Sequence, residues 1–416
     1  MIARPATLLA LVCFGLALLA APAGAVSRSS VERQFQSWLA DDLYPEASRR
    51  GISAATFRNA FQGISLDWNL AGLVPPGTAP PKHRRQTQAE FRSPGAYFSQ
   101  RRLATLAARG RSEAKRWSQT IARIEARYGV PGRFLLAIWG RETAFGAVSI
   151  PNSAIRVLAT KAFMSTRKDL FRGELLDALR IVQRGEATPS MMKGSAAGAM
   201  GQPQFMPSSY LKYAVDFDGN GHADIWTSVP DTLASIANFL NENGWQSGRD
   251  WGFEVRIPAG VSCAQEGPDR ARSLAQWKGE GIRRVAGRTF DPTQLGRSAM
   301  MLVPAGTEGP EFLVTGNFYV IKKYNNSDLY ALFIGNLADR IAYGSGNFVG
   351  DWGDVGHMLR SDVATMQRAL QAKGYDVGGA DGLPGFKTRR SIGEWQAKGG
   401  LNPTCFPSPE LSRRLR

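Results

Sequence analysis

The sequence predicts a mainly α-helical chain with a small β segment, followed by a separate three-helix module. Apolar residues recur at helical spacing through much of 28–243. Short runs with turn residues between them replace that pattern between 251 and 320. Gly344, Gly346, Gly350, Gly353 and Gly356 then crowd one stretch before helical patterning resumes.

Residues 1–25 read as a secretory signal peptide. Arg4 is the sole charge before Arg28, Leu8 to Ala20 form an apolar run, and Ala21-Pro22-Ala23-Gly24-Ala25 suits cleavage after Ala25. The run is short for a membrane span, which takes about 20 residues. Val12 is too bulky for a lipoprotein site at Cys13. No later segment is apolar enough to span a membrane, and the remaining length suits two or three domains. A formal net charge of +16 favours an anionic partner. Export and the lack of a nucleic-acid motif argue against nucleic acid. A carboxylate-rich cell-wall polymer fits both export and charge, and a monomer is expected. Cys263 and Cys405 can pair in an oxidising compartment. Their distance in sequence and their different predicted units weigh against a bond, and their state stays open.

In chain order, 28–70 reads as helix, with Phe35, Trp38 and Leu39 on one face and Ser53 as the N-cap of a further helix. Pro75, Pro76, Pro80 and Pro81 make 72–82 an extended loop. A basic helical stretch covers 97–128, and helices follow over 168–184 and 231–243. WGFEVRIP, SAMMLVP and EFLVTGNFYVIKKY read as strands, and helix returns over 326–342. Residues 346–356 read as a linker. In the module over 357–416, QAKG at 371–374 and 396–399 each closes a helix with glycine at its end. Val363, Met366, Leu370, Ile392 and Trp395 fit a packed core, and Thr388 is a candidate N-cap.

The chemistry-bearing candidate is Glu142. Phe134, Leu135, Ile138 and Trp139 form a core-facing stripe, and Glu142 follows Ile138 by four residues on the same face. Gly146 is the expected helix stop. A carboxylate in the last turn meets the negative end of the helix dipole, and apolar neighbours disfavour its charge further. Both raise its pKa, as a general acid requires. The competing reading is a salt bridge to Arg141 or Lys161.

Three segments carry a family likeness. GVPGRFLLAIWGRETAFG, SAAGAMGQPQFMPSSYLKYAVDFDGNGHADIW and KKYNNSDLYA resemble, in order, signatures of the lytic murein transglycosylase B family. The resemblance spans roughly 30–345. It implies a lysozyme-like α+β catalytic region over 26–345 that acts on the glycan strands of peptidoglycan. It implies Glu142 as the catalytic acid/base. Ser195 and Gln204 would line the glycan cleft, and Tyr324, Asn325 and Tyr330 the cleaved bond. Arg167 and Lys168 sit, across a gap, where the family has a basic pair. Phe239 replaces a cleft tyrosine of some relatives. The implied reaction uses one carboxylate and leaves 1,6-anhydromuramic ends, with no cofactor for the chemistry. A goose-lysozyme-like hydrolase, a non-catalytic wall binder and an exported nucleic-acid binder are the competing classes.

DFDGNGHADIWT places Asp216, Asp218, Asn220, His222 through its carbonyl, and Asp224 at positions one, three, five, seven and nine of an EF-hand-like loop, with Gly221 at six. Thr227 stands where a bidentate Glu is usual, and Asp231 is the substitute acidic ligand. A structural Ca2+ is expected; a turn held by local hydrogen bonds is the alternative. The C-terminal module resembles the three-helix peptidoglycan-binding domain, on Leu370, Gly374, Tyr375, Asp381-Gly382, Gly385, Thr388, Gln396 and Leu401.

Overall fold

The computed structural model describes residues 27–80, 94–344, 346–356 and 358–415. The predicted signal peptide lies outside them. Helix dominates. The N-terminal part is Arg28–Ser37, a π-helical turn Trp38–Leu43, Tyr44–Arg49 and Ala54–Phe61. Ser53 caps the last of these by accepting the Thr56 N–H, as expected. Helix stops at Phe61, short of the predicted residue 70, and 62–73 is mostly turns. The basic stretch is two helices, Gln100–Arg116 and Ser118–Tyr128, broken at Trp117.

One apolar cluster runs from Val31 to Ile341 and encloses the helix Gly132–Thr143. The sequence suggests one buried face there; the structure buries Phe134 through Gly140 without interruption. A helix apolar all round belongs inside a core. Around it pack Ala154–Met164, Lys168–Gln183, Val229–Glu242 and Asp328–Tyr343.

The strands are β1 (Asn152–Ser153), β2 (Lys193–Gly194), β3 (Gly252–Arg256), β4 (Arg272–Ser273), β5 (Arg283–Arg284), β6 (Ser298–Leu302), β7 (Pro304–Thr307) and β8 (Glu311–Val314). β1 and β2 pair antiparallel and set the loop after Gly194. A five-stranded antiparallel sheet has the order β4-β6-β8-β3-β5, with Phe253 opposite Leu313. The third predicted strand is only half strand. After Val314, Thr315 accepts the Asn317 N–H and starts the helix Gly316–Tyr324. Phe, Tyr, Val and Ile suit a strand, and the cap overrides that preference.

The C-terminal module is Arg360–Ala372, Phe386–Lys398 and Pro409–Arg414 around Val363, Met366, Leu370, Ile392 and Leu411, with Trp395 at the edge. Gly374 has the left-handed backbone expected at the first QAKG; at the second, Gly400 takes it and Gly399 does not. Thr388 is not the cap: Gly385 is, and the Thr388 hydroxyl accepts from buried Gln367 at 2.9 Å.

Two parts expected to stand apart are in contact. Residues 346–356 are docked: the Val349 and Gly350 N–H groups donate to Glu254 at 2.8 and 2.7 Å, and Trp352 stacks on Phe98 at 5.0 Å. Cys263 and Cys405 form a disulfide, their Cα atoms 6.1 Å apart across 142 residues of sequence. The helix bearing Gly393 lies against the turn Cys263–Gln265, and a Cβ at Gly393 would collide with the Cys405 sulfur. Sequence distance does not measure spatial distance once a module folds back.

Candidate active site

Glu142 lies in the last turn of Gly132–Thr143. The helix ends on Ala144 (φ 48°) and Phe145 (φ 58°), both left-handed, followed by Gly146 (φ 73°). Two consecutive non-glycine residues in this region store strain, which concentrates at working sites. The turn folds the Phe145 ring under Gly140, where any Cβ would strike it.

Glu142 is partly buried. Its Oε1 accepts the Tyr330 hydroxyl at 2.6 Å. Burial raises its carboxyl above the ordinary Glu value; the Tyr330 bond and the Arg141 charge only partly oppose this. Among the described residues no second carboxylate bears on it and it is in no salt bridge. Arg141 turns instead to the Tyr97 hydroxyl at 2.9 Å, its guanidinium over the Tyr97 and Phe333 rings. Lys161 lies over the Phe171 ring. The salt-bridge reading is therefore not what the structure shows, and the acid is free to hold a proton at its working end.

The tyrosines come from two successive helices. Tyr330, 1% exposed, lies in the first turn of Asp328–Tyr343, and its N–H is capped by Ser327. Tyr324 ends Gly316–Tyr324 and lies nearly parallel to Tyr330, 10° between planes and 6.4 Å between centroids. Burial pushes both phenols well above their usual pKa, and the Glu142 charge adds to this. Both therefore remain donors. The Tyr324 hydroxyl donates to the Pro203 carbonyl at 2.6 Å, which ties the tyrosine pair to the loop carrying Gln204. Gln204 is left-handed (φ 54°), and its side-chain amide donates back to Gly201 at 2.9 Å. Phe239 packs on Tyr324, Tyr213 and Phe205.

Residues 34–339, most of the chain, match the family described as transglycosylase SLT domain. This chain belongs to that family. Residues 360–415 match the putative peptidoglycan binding domain. Membrane-bound lytic murein transglycosylase B of Escherichia coli (strain K12) is 34% identical over 220 residues, 52% of this chain and 58% of that protein. The chain thus matches less than two thirds of that curated relative's length. SltB3 from Pseudomonas aeruginosa in complex with NAG-NAM-pentapeptide matches with a TM-score of 0.81 and 37% identity, over 92% of this chain and 99% of that one. The same protein in complex with NAG-anhNAM-pentapeptide gives 0.80 at the same identity and coverage. Escherichia coli SLT35 in complex with calcium is 30% identical, with a TM-score of 0.51 over 60% of this chain and 77% of that one.

Within the SLT domain, the other predicted residues lie less centrally. The Ser195 hydroxyl accepts the Ala197 N–H, and its N–H donates to Ala199, so it shapes the turn before Gln204. Asn325 is exposed at the end of the Tyr324 helix, where its carbonyl accepts the Ser327 N–H. Arg167 and Lys168 are exposed at the start of Lys168–Gln183, with Arg167 over the Phe171 ring. None of these four is hydrogen-bonded to Glu142 or Tyr330. A cavity of about 870 Å³ is lined by Arg133 and Leu136 at the other end of the Glu142 helix, and its lining does not include Glu142.

Gln202 was missed. Buried, it accepts the Trp139 indole N–H at 2.7 Å and, through its carbonyl, the Thr143 hydroxyl at 3.0 Å; its amide donates to Trp226 at 3.0 Å. It clamps the Gln204 loop to the residues flanking Glu142. Its one sequence signal is a polar residue between Gly201 and Pro203, which does not separate it from Gln204.

The acidic loop of the SLT domain gathers Asp216, Asp218 and Asp231, with carboxylate oxygens within 4.8 Å of one another. Asp216 accepts N–H groups from Gly219, Asn220 and Gly221. Buried Asp231 accepts from Phe217, Asp218 and Asp224. Asn220 accepts the His222 N–H, and Asp224 accepts those of Trp226 and Thr227. Asn220 and Asp224, like Asp216 and Asp231, thus accept N–H groups within the turn, and Asp216, Asp218 and Asp231 are clustered hard-oxygen donors of the kind that suits Ca2+.

Proposed function

We propose that this chain is a lytic transglycosylase that cleaves the β-1,4 bond between N-acetylmuramic acid and N-acetylglucosamine of peptidoglycan. The observation that carries this reading is a single carboxyl group at the end of a buried helix, hydrogen-bonded to a buried tyrosine, raised in pKa by burial and with no second acid beside it among the described residues. Ordinary glycosidases need two carboxylates. One suffices when the substrate supplies the second nucleophile.

Glu142, protonated, gives its proton to the bridging oxygen as the bond from that oxygen to the muramic C1 breaks. The sugar's N-acetyl group stabilises the cation at C1. The Glu142 carboxylate then removes the proton from the sugar's own 6-hydroxyl, and O6 bonds to C1. Glu142 ends protonated again, no water is consumed, and the product is a 1,6-anhydromuramic end. Likeness to a protein solved with NAG-anhNAM-pentapeptide supports that product.

Tyr330 orients Glu142, Tyr324 and Gln204 face the glycan beside it, and Ser195, Asn325, Arg167 and Lys168 contact the strand further out. The protein is exported to the periplasm, where residues 360–415 hold it on the wall. No helix among the described residues is long and apolar enough to cross a membrane. Asp216, Asp218 and Asp231 would hold a structural Ca2+, whose charge would relieve the crowding of three carboxylates. Likeness to SLT35 in complex with calcium supports this.

Mass spectrometry of digested peptidoglycan tests the reaction. Wild type should release anhydromuropeptides, and Glu142→Gln should lose at least about a hundredfold in rate. Products with reducing ends only would convert the reading to a hydrolase, and an active Glu142→Gln would end both.

A further inference from the structure

Several side chains of the C-terminal module reach the SLT domain: Arg389 and Arg390 in ion pairs, Glu394 with Arg270, and Cys405 in the disulfide. Arg389, on Phe386–Lys398, is 4% exposed and donates through Nε and Nη2 to both oxygens of Glu266, at 2.9 and 2.6 Å. The same Nη2 donates to Asp328 at 2.9 Å. The other Asp328 oxygen holds the Lys322 ammonium at 2.8 Å. Glu266 is fully buried and also accepts the Val303 N–H at 3.0 Å. Asp328 opens the helix that carries Tyr330, and Lys322 lies on the helix that carries Tyr324. Each tyrosine is thus two residues from a member of this network.

We propose that Arg389 is a positioning residue for the reaction: by bridging Glu266 and Asp328 it fixes the adjoining ends of the two helices that present Tyr324 and Tyr330 to Glu142. This rests on the transglycosylase reading above. It makes the docked C-terminal module part of the active-site scaffold as well as a wall binder.

The electrostatics require the bridge. Glu266 belongs to the β segment and Asp328 to the helical region, and Arg389 is the cation shared by both. Without it the fully buried Glu266 has no cation and faces Asp328, which keeps only Lys322, and an uncompensated buried acid is strongly unfavourable. Asp328 then loses the contact that fixes it against the β segment. A shift at the first residue of a helix is passed to the third, and Tyr330 is buried with its hydroxyl committed to Glu142. Misplacement by about 1 Å can cost on the order of a hundredfold in rate. The Cys263–Cys405 bond, beside Glu266, holds the same junction covalently. Removal of the Arg389 charge therefore separates positioning from docking.

The test uses the full chain with Arg389→Met, Arg389→Lys and the double variant Glu266→Gln/Arg389→Met. Steady-state kinetics on soluble glycan fragments are measured against pH, with melting temperature alongside. The groups facing Glu142 are Tyr330 and Tyr324 from the two helices and Arg141 from its own, the last held by Tyr97. Arg389→Met should lower kcat about tenfold with KM within about twofold, on the scale of one misplaced hydrogen bond. Its alkaline limb should move to higher pH, because the Tyr330 bond that steadies the Glu142 anion is loosened. Arg389→Lys should restore part of kcat. The double variant should regain melting temperature but not kcat.

Recovery of kcat together with melting temperature would overturn the proposal, as would wild-type kinetics in folded Arg389→Met. A readout independent of turnover is the Glu142 titration, followed by carbon-13 NMR of Glu-labelled protein and assigned by the signal lost in Glu142→Gln. It should move up in Arg389→Met. An unmoved titration overturns the positioning role whatever the wild-type product, whereas a moved titration with no anhydro product sinks the reaction reading alone.

Discussion

Glu142 and Asp328 are both acids set deep among aromatic and aliphatic side chains, yet the molecule treats them in opposite ways. Asp328 has two cations within 2.9 Å, Arg389 and Lys322. Burial would push its carboxyl up, but the two cations outweigh burial and hold it at about 2. Glu142 has Arg141 as its sequence neighbour but no ion pair with it, because the Tyr97 hydroxyl and the Tyr97 and Phe333 rings hold that guanidinium. Its carboxyl is raised by burial. Two acids therefore differ in charge preference, one held as an anion and one with its neutral form favoured, and the difference is where the nearest guanidinium points. Withheld compensation of this kind is what the proposed role of Glu142 as an acid requires.

The comparison is sharpest when one chemical change is made at both places. Asp328→Asn leaves Arg389 and Lys322 short of a buried partner and should cost about 3 kcal/mol. Glu142→Gln removes an acid whose charged form the fold disfavours, so its melting temperature at pH 7 should equal or exceed that of wild type. The sign follows from linkage. A carboxyl raised in the folded state costs stability above its ordinary pKa, and that cost vanishes as pH falls below it. The gap between Glu142→Gln and wild type should therefore close near pH 4. Denaturant melts at pH 4 and pH 7 decide this, and a destabilised Glu142→Gln at pH 7 would break the contrast.

A smaller effect comes from pH alone. Asp328, held at about 2, contributes stability that is fully present above its ordinary pKa of 3.8 and is lost as pH falls through the folded value. The shift corresponds to about 2 kcal/mol. Acid melts between pH 4 and pH 2 should show this loss in wild type and not in Asp328→Asn.

The contrast also marks how far the sequence could be read. The placement of Glu142 was legible because its signal is local: four residues after Ile138, on an apolar helix, before a glycine. That Tyr324 and Tyr330 lie near Glu142 was legible through signature likeness; their parallel stacking was not. Gln202 was illegible because its partners lie 63 and 24 residues away, at Trp139 and Trp226. Arg389 meets Glu266 across 123 residues and Asp328 across 61, and no periodicity encodes such a meeting. The disulfide was misjudged for the same reason. The helix Gly316–Tyr324 was misread because local strand preference was trusted over a threonine cap. Local patterns report what one element prefers, whereas compensated charges and clamps are decided by which elements meet.

The finest test lies inside the site. Tyr330→Phe removes one hydroxyl and keeps the ring that packs on Tyr324. The lost hydrogen bond is one that favours the Glu142 anion, so its carboxyl should rise further. The protonated form needed before the first step then persists to higher pH, but the weaker and less well-oriented acid gives its proton up less readily to the bridging oxygen. We expect kcat to fall about tenfold, the value of one charge-assisted hydrogen bond of about 1.5 kcal/mol. The alkaline limb of the rate profile should move to higher pH, and melting temperature should change little. A limb that moves to lower pH would mean that Tyr330 holds the neutral acid, and Glu142 would then owe its raised pKa to that bond as well as to burial.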